Sequence, residues 1–210
     1  MKRPTGRFFM QFYFRISLSR IFTSFIFHLK MLLSANIESP LGNMVAIASD
    51  QGICIFDFVD RKNLDNIIGR VTKSLNVAMN EGSHAIFDHL QRQIDEYFIG
   101  ERFDFDLPMQ PTGSPFQLSV WGTLMQIPFG ETRSYKLQSK LLGDEKAVRA
   151  VANANGANGI AILIPCHRVI GTNGSLTGYG GGLWRKKWLL EHEAKYAGHL
   201  NRQGNLYEVD

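Results

Sequence analysis

Cysteine is nearly absent: Cys54 and Cys166 are the only two in 210 residues. That excludes a disulfide framework, and two thiols so far apart cannot build a structural zinc site by themselves. A reducing, cytoplasmic compartment is the expectation. Long hydrophobic runs are missing as well. Ile21 to Leu29, the longest uncharged stretch of the N-terminal segment, is far too short to cross a bilayer. No convincing small-residue cleavage site accompanies it, which argues against a signal peptide. No internal repeat is evident. Charge is only weakly one-sided, with 23 Lys+Arg against 19 Asp+Glu and a net of +4, which permits a polyanionic partner without demanding one. The hydrophobic share of 44% is ordinary, so the chain has material for one sizeable domain or two small ones with a real core.

The first thirty residues hold Phe8, Phe9, Phe14, Phe22, Phe25 and Phe27 with Arg15, Arg20 and Lys30 between them. A membrane-surface segment is one reading. The plainer one is that the true start is Met31 and residues 1–30 are a translated leader without a fold of its own.

From Met31 the texture is that of a small domain mixing strands and helices. Met44 to Ala48 and Ile53 to Val59 read as strands joined by an Asp50-Gln51-Gly52 turn, a β-hairpin. Cys54 lies in the second strand and reads as a small buried residue. A short helix is expected from Asn63 or Asp65 to Leu75. A longer one is expected after a Ser83 cap, with Phe87, Leu90, Gln91, Ile94 and Phe98 on one face and Gly100 at its end. Phe103 to Leu107 alternates like a further strand. Pro108 to Pro115 reads as a linker. Ser114-Pro115 then opens a helix with core residues Phe116, Val120, Leu124 and Ile127.

Two short helices follow. Thr132 or Ser134 can cap the first, Gly143 stops it, and Asp144 can cap the second, the spacing of a helix-turn-helix. Leu137, Leu141, Ala147, Ala150 and Val151 are expected to form the inner contact. On the second helix Ala147, Ala150, Val151 and Ala154 recur at core spacing. The opposite face then carries Arg149, Ala152, Asn153 and Gly156, one long cation among small residues. A smooth face of this kind lets a helix approach a narrow groove, with Arg149 free to reach into the base stack. An alanine-rich packing helix has the same pattern.

The apolar run Ala161 to Ile164, read as a buried strand or extended segment, leads to Pro165-Cys166-His167. A thiol beside an imidazole is a candidate nucleophile, because the thiolate is the reactive form and a neighbouring base favours it. A structural thiol beside a surface histidine would look the same. Gly178-Tyr179-Gly180-Gly181-Gly182 supplies a loop whose backbone can approach a flat ligand, with Tyr179 as an aromatic face. In the last helix Trp184, Trp188, Leu189 and Tyr196 share an apolar arc, and Glu193 lies at its edge. A carboxylate partly withdrawn from water and linked to His167 would make the imidazole a better proton acceptor.

Pro165-Cys166-His167-Arg168-Val169, with the upstream helix-turn-helix, the Gly178-Tyr179 loop and Trp188-Leu189-Leu190, resembles the O6-alkylguanine-DNA alkyltransferases, the methylated-DNA–protein-cysteine methyltransferases. The resemblance is strong over residues 114–195 and weaker back to Glu38-Ser39-Pro40-Leu41-Gly42. It implies an α+β fold: a small ribonuclease-H-like α/β domain over 31–107, a linker over 108–115, a mostly helical domain with the helix-turn-helix over 116–197, and a tail over 198–210. It implies that Cys166 accepts the alkyl group and that His167 is the base, linked through a water to Glu193. Asn158 corresponds to the asparagine that braces the turn before the active-site segment. Arg149 corresponds to the finger that replaces the extruded base, and Tyr135 to a tyrosine that contacts the flipped guanine and helps rotate its phosphate. The carbonyls of Cys166 and Val169 would accept from the guanine amino group, with Tyr179 and Gly180 lining the pocket. The implied partner is double-stranded DNA carrying alkylated bases, met from the minor groove by base flipping, with O6-alkylguanine and possible O4-methylthymine as lesions. The protein would act once per molecule, as a monomer with no obligate protein partner and no cofactor.

Two departures bear on that expectation. Some relatives have a serine where this chain has Gly180, which predicts a roomier or more mobile pocket. Some bind zinc in the first domain, where Cys54 is here the sole cysteine, so no metal is expected. A non-catalytic DNA-binding protein and a cysteine hydrolase using Cys166 and His167 remain the competing readings. N-terminal sequencing of the native protein is expected to recover Met31; recovery of Met1 would overturn the leader reading.

Overall fold

The computed structural model describes residues 31–204, so the leader reading of residues 1–30 falls outside the described residues, as does the end of the 198–210 tail. Strands β1 (Leu32–Ile37), β2 (Met44–Ser49) and β3 (Gly52–Phe58) are followed by helix α1 (Leu64–Leu75), strand β4 (Met79–Glu81) and helix α2 (Ala85–Ile99). The sheet order is β3-β2-β1-β4, with β4 parallel to β1 and the other pairs antiparallel. The expected hairpin is β2-β3. The strands β1 and β4 have no clear alternating pattern, and their placement is a tertiary outcome.

Every residue of β3 is buried. Such a strand needs cover on both faces, and it has it. Cys54 and Ile55 join Leu64, Ile67 and Val71 of α1, while Ile53, Phe56 and Phe58 join a larger cluster that includes Leu90, Ile94 and Tyr97 of α2. That cluster continues without a break into Val120, Leu124, Val151 and Leu189 of the C-terminal half. One core therefore spans both halves of the chain.

Several local expectations change. Helix α2 is capped by His84 rather than Ser83: the His84 Nδ1 accepts from the Ile86 amide at 3.1 Å. Gln91 leaves the core face to Gln93 and instead exchanges hydrogen bonds with the Glu38 backbone. Phe103 to Leu107 forms no strand; Phe105 packs on Tyr97 and Phe103 on Phe129. The Pro108–Pro115 segment is no free linker. The Ile53 amide donates to the Pro108 carbonyl at 2.9 Å and the Gln110 amide to the Ile53 carbonyl at 2.8 Å, so it covers the open edge of β3.

The second half holds α3 (Pro115–Leu124), the short strand β5 (Arg133–Ser134), α4 (Tyr135–Leu141), α5 (Val148–Gly156), a single 3-10 turn (Cys166–Arg168), β6 (Val169–Ile170) and α6 (Leu183–Gly204). Ser114 and Gln117 make a reciprocal capping box on α3. Phe116 is exposed, and Trp121 takes its expected core position, its indole N–H donating to the Ala154 carbonyl at 2.8 Å. Ser134 caps α4, but Asp144 does not cap α5, which starts later at Val148. Gly143 between them has φ +87, a conformation that favours glycine.

The inner contact of this helix pair keeps Val151, which is fully buried, but is polar where the leucines were expected. Leu137 and Leu141 face solvent, and Ala150 is exposed. Gln138 is buried instead and pairs its amide with that of buried Asn155, at 2.7 and 3.3 Å. Among the described residues no helix is long and apolar enough to cross a membrane. Asn155→Ala would leave Gln138 Oε1 without a donor in the core, while its Nε2 keeps Thr123 and Val120, so a loss of about 1–3 kcal/mol is expected in urea unfolding. Unchanged stability would show that this amide pair does not hold the two helices.

Candidate active site

The segment before Cys166 is hung on the N-terminal sheet. The Phe56 amide of β3 donates to the Gly159 carbonyl at 2.8 Å, and the Ala161 amide returns to the Phe56 carbonyl at 2.6 Å. From there the chain turns tightly and forms no strand over Ala161–Ile164. Ile162 has φ +68, an uncommon state for a β-branched residue. The turn holds it there, with the Ile164 amide on the Ile160 carbonyl and the Cys166 amide on the Ile164 carbonyl.

Asn158 is wholly inside this turn. Its Oδ1 accepts from the Ile160 amide at 3.0 Å, and its Nδ2 faces the Ile164 carbonyl at 2.9 Å and the Cys166 Sγ at 3.3 Å. One side chain thus shapes the loop and holds the sulfur. Cys166 is 7% exposed, and burial pushes its thiol up, with the Asn158 hydrogen bond opposing. The resting group is a thiol, and reaction requires a proton acceptor.

That acceptor is set by Glu193, which is fully buried on α6 rather than at a solvent edge. The Nε2 of His167 meets its Oε1 at 2.8 Å, a direct contact where a water link was expected. Arg168 grips the same carboxylate through Nε at 2.8 Å and Nη2 at 3.0 Å. The Tyr97 hydroxyl donates to Oε1 at 2.8 Å, and the Gly130 amide to Oε2 at 3.2 Å. Burial alone would raise the Glu193 pKa, but His167 and Arg168 outweigh it and hold the carboxyl well below the usual carboxylate range. Burial pushes His167 down, with Glu193 only partly offsetting it, so its ring is neutral at neutral pH. The permanent charge that keeps Glu193 ionised is then Arg168. Facing a carboxylate, Nε2 must carry the hydrogen, which leaves Nδ1 with its lone pair. Nδ1 is buried and has no hydrogen-bond partner among the described residues.

Residues from three elements surround Cys166. Tyr135, the first residue of α4, is buried, with its hydroxyl 3.1 and 3.2 Å from the Thr177 and Gly178 carbonyls. It sits against the pocket loop, inside the protein rather than on its outer face. Tyr179 is half-buried, its ring edge-on to His167 at 6.4 Å. Lys186, fully buried, donates to the Val169 carbonyl at 2.5 Å and the Thr177 carbonyl at 2.6 Å, and burial lowers it to about 8. The Cys166 carbonyl accepts from the Val169 amide. Both carbonyls expected to meet a base therefore already hold one donor each and keep a second lone pair free. Gly180 does not open a roomier pocket, because the Arg61 guanidinium fills the space beside it.

On α5, Arg149, Asn153 and Gly156 are exposed as expected. Ala152 is half-buried and packs on the core, and Ala150 takes its place on the outer face. The helix is turned slightly from its expected setting because Asn155 faces inward to Gln138. Trp184 likewise leaves the apolar arc of α6 at 58% exposed, and Trp188 stacks on His192 at 4.8 Å instead.

Arg168, Tyr97, Lys186 and Arg61 carried no role in the sequence reading. A charged or phenolic residue normally reads as surface, and nothing local marks its burial. For Arg168 a signal existed: a cation next to a candidate base, with a helical carboxylate in want of a partner. No group of three or more metal-ligating side chains occurs among the described residues.

Two family models match the chain. The 6-O-methylguanine DNA methyltransferase ribonuclease-like domain covers residues 32–111, and the DNA binding domain of the same name covers residues 115–195. A methylated-DNA–protein-cysteine methyltransferase of Methanosarcina acetivorans is 42% identical over 74% of this chain and 94% of its own. One from Mycolicibacterium paratuberculosis is 52% identical over 80% and 95%. The crystal structure of Mycobacterium tuberculosis O6-methylguanine methyltransferase superposes with a TM-score of 0.67 at 37% identity, covering 79% of this chain and 94% of that one. A structure of the Mycobacterium tuberculosis protein in complex with DNA matches with a TM-score of 0.66 at 37% identity, with the same coverage.

The depressed Glu193 has a stability consequence. Its contribution is present above the unfolded carboxyl value of about 4.3 and is lost as pH falls toward the folded one. Glu193→Gln strands Arg168, so a loss of about 3–5 kcal/mol is expected at pH 7. In urea titrations from pH 7 downward, the gap to wild type should narrow below about pH 5, as the unfolded chain's carboxyl takes up a proton while the native one stays ionised. A gap constant with pH would show that Glu193 is not held ionised.

Proposed function

Because the chain belongs to the methylated-DNA–protein-cysteine methyltransferase family, we propose that it repairs DNA by moving the alkyl group of O6-alkylguanine onto its own Cys166. The observation that carries this reading is the buried chain Asn158–Cys166 with His167–Glu193 beside it, and the rings of Tyr135 and Tyr179 near the thiol. A DNA partner is supported by the DNA-bound Mycobacterium tuberculosis relative.

The domain grips phosphates with little sequence preference, and α5 enters the minor groove with its outer face of Arg149, Ala150, Asn153 and Gly156. An O6 atom within the stack cannot be reached, so the base is flipped, at a cost of a few kcal/mol that is smaller for a poorly paired lesion. Arg149 takes the vacated place. Cys166 gives its proton to His167 Nδ1, across a water where the two do not touch, and Glu193 stabilises the imidazolium that forms. The thiolate attacks the alkyl carbon in line. The C–S bond forms as the C–O6 bond breaks, and the electron pair leaves on guanine. Tyr135 donates the proton that the departing base requires, and the proton held by the imidazolium returns through solvent to the phenolate. The product is a thioether, and nothing in this displacement reverses it, so one molecule acts once. The balance closes without a cofactor or metal. O4-methylthymine is an alternative substrate of the same displacement. The protein acts as a monomer in the cytoplasm on this reading.

A cysteine hydrolase would release many products per molecule, and a non-catalytic binder would carry no alkyl group. Incubation with duplex DNA containing O6-methylguanine, followed by peptide mass measurement, is expected to add one methyl group to the Cys166 peptide. An unmodified peptide sinks the reading. Cys166→Ala is expected to abolish transfer and keep DNA affinity; loss of both would make Cys166 structural.

A further inference from the structure

We propose that Arg61, from the N-terminal domain, is a positioning residue for the transfer: it couples the end of the recognition helix α5 to the lesion pocket. The inference rests on the alkyl-transfer reading above. Arg61 lies just after β3, and its side chain is 4% exposed. Its Nη2 donates to the Gly156 carbonyl at 2.5 Å and its Nη1 to the Asn158 carbonyl at 2.6 Å. Nη1 also meets the buried Asp57 carboxylate, and Nε donates to Asn63 Oδ1 at 2.9 Å. Gly156 is the last residue of α5, where carbonyls lack helical partners and a cation is favourable. Asn158 is the residue that holds the Cys166 sulfur. A single guanidinium therefore fixes the two ends of the short connection between the DNA-facing helix and the active-site turn.

Its other side touches the pocket loop. A Cβ built on Gly180 would lie 2.6 Å from the Arg61 Cζ, 2.7 Å from Nε and 2.8 Å from Nη2. Arg61 cannot swing away cheaply, because four acceptors hold it. A side chain at position 180 would displace the loop that carries Tyr179. Gly180 and Arg61 are thus matched to each other, and the loop's place depends on both. Asp57 and Arg61 bear on the Cys166 thiol in opposite senses, so the role of Arg61 is placement rather than charge.

The test is single-turnover methyl transfer by the full chain from O6-methylguanine duplex DNA, with the saturating rate separated from the half-saturating DNA concentration. Rates are taken well below each variant's thermal midpoint. Gly180→Ser and Arg61→Ala should each slow the saturating rate by about tenfold or more, since a small misplacement is costly near the chemistry. Half-saturation should move by less than about threefold, since phosphate contacts dominate affinity. The pH profile should keep its shape. In the Arg61→Ala/Gly180→Ser double variant, the rate should exceed the product of the single effects by about fivefold or more, the sign of direct coupling. Arg61→Lys keeps the charge but cannot span both carbonyls, and should remain slow. Asp57→Asn/Arg61→Ala serves where the single variant does not fold, since it leaves no unpaired buried carboxylate. A wild-type saturating rate in the arginine variants, or single effects that simply multiply, overturns the proposal. So does a lower thermal midpoint with an unchanged rate. Should the wild type itself transfer no methyl, the alkyl-transfer reading fails instead. The same four proteins compared by thermal midpoint then test the Arg61–Gly180 contact, and additive midpoints overturn it.

Discussion

The carboxylate of Glu193 has no contact with solvent and accepts from His167, Arg168, Tyr97 and the Gly130 amide. Much of the rest of the structure answers to that constraint. A buried carboxylate survives only if its charge is paired and its lone pairs are filled. Arg168 supplies the charge, and the other three supply hydrogen bonds from different parts of the chain. Satisfying Glu193 therefore locks the 3-10 turn, α6, α2 and the loop at Gly130 into one arrangement. The same carboxylate dictates which nitrogen of His167 carries hydrogen. Folding and proton transfer share this single requirement.

The second organising contact is the edge of β3. An open strand edge offers unpaired amides and carbonyls. Here the Pro108–Gln110 segment covers one part and Gly159–Ala161 another. The active-site turn is thus built against the N-terminal sheet, although the two lie far apart in sequence. Arg61, Arg185 and Tyr97 reinforce that seam with buried polar contacts. Arg185 reaches across with both Nη atoms to Asp60, at 2.9 and 3.0 Å, and lies over the Phe58 ring at 4.0 Å. The N-terminal domain carries no reacting group in the proposed chemistry, yet its side chains touch the reacting groups' supports.

The helix-turn-helix shows where reading from periodicity goes astray. Ala147, Ala150, Val151 and Ala154 recur at core spacing and suggest an inner face, with Leu137 and Leu141 as its partner. Val151 and Ala154 are buried as expected, but the helices also meet through Gln138 and Asn155, and the leucines are left outside. Hydropathy ranks an amide as surface, and a reciprocal amide pair is invisible until both helices are placed. The outer face survived the error nearly intact, since a small rotation exchanges Ala152 for Ala150 and leaves Arg149, Asn153 and Gly156 exposed.

The sequence by itself determined the α+β class, the hairpin, the helix with its Ser114 cap, and Cys166, His167 and Tyr179 as the residues to watch; Asn158 and Tyr135 entered only through the family resemblance. These are legible because caps, glycine stops and short motifs act over a few residues. Tertiary structure alone decided that Glu193 is wholly buried, that His167 meets it directly rather than through water while Arg168 neutralises it, and that Lys186 holds the Val169 carbonyl. It also decided that Arg61 fills the space beside Gly180. Each of these depends on groups brought together across long stretches of chain. Burial of a charge is a property of the assembled surroundings, and the adjacent thiol and imidazole of Cys166 and His167 acquire their chemistry from them.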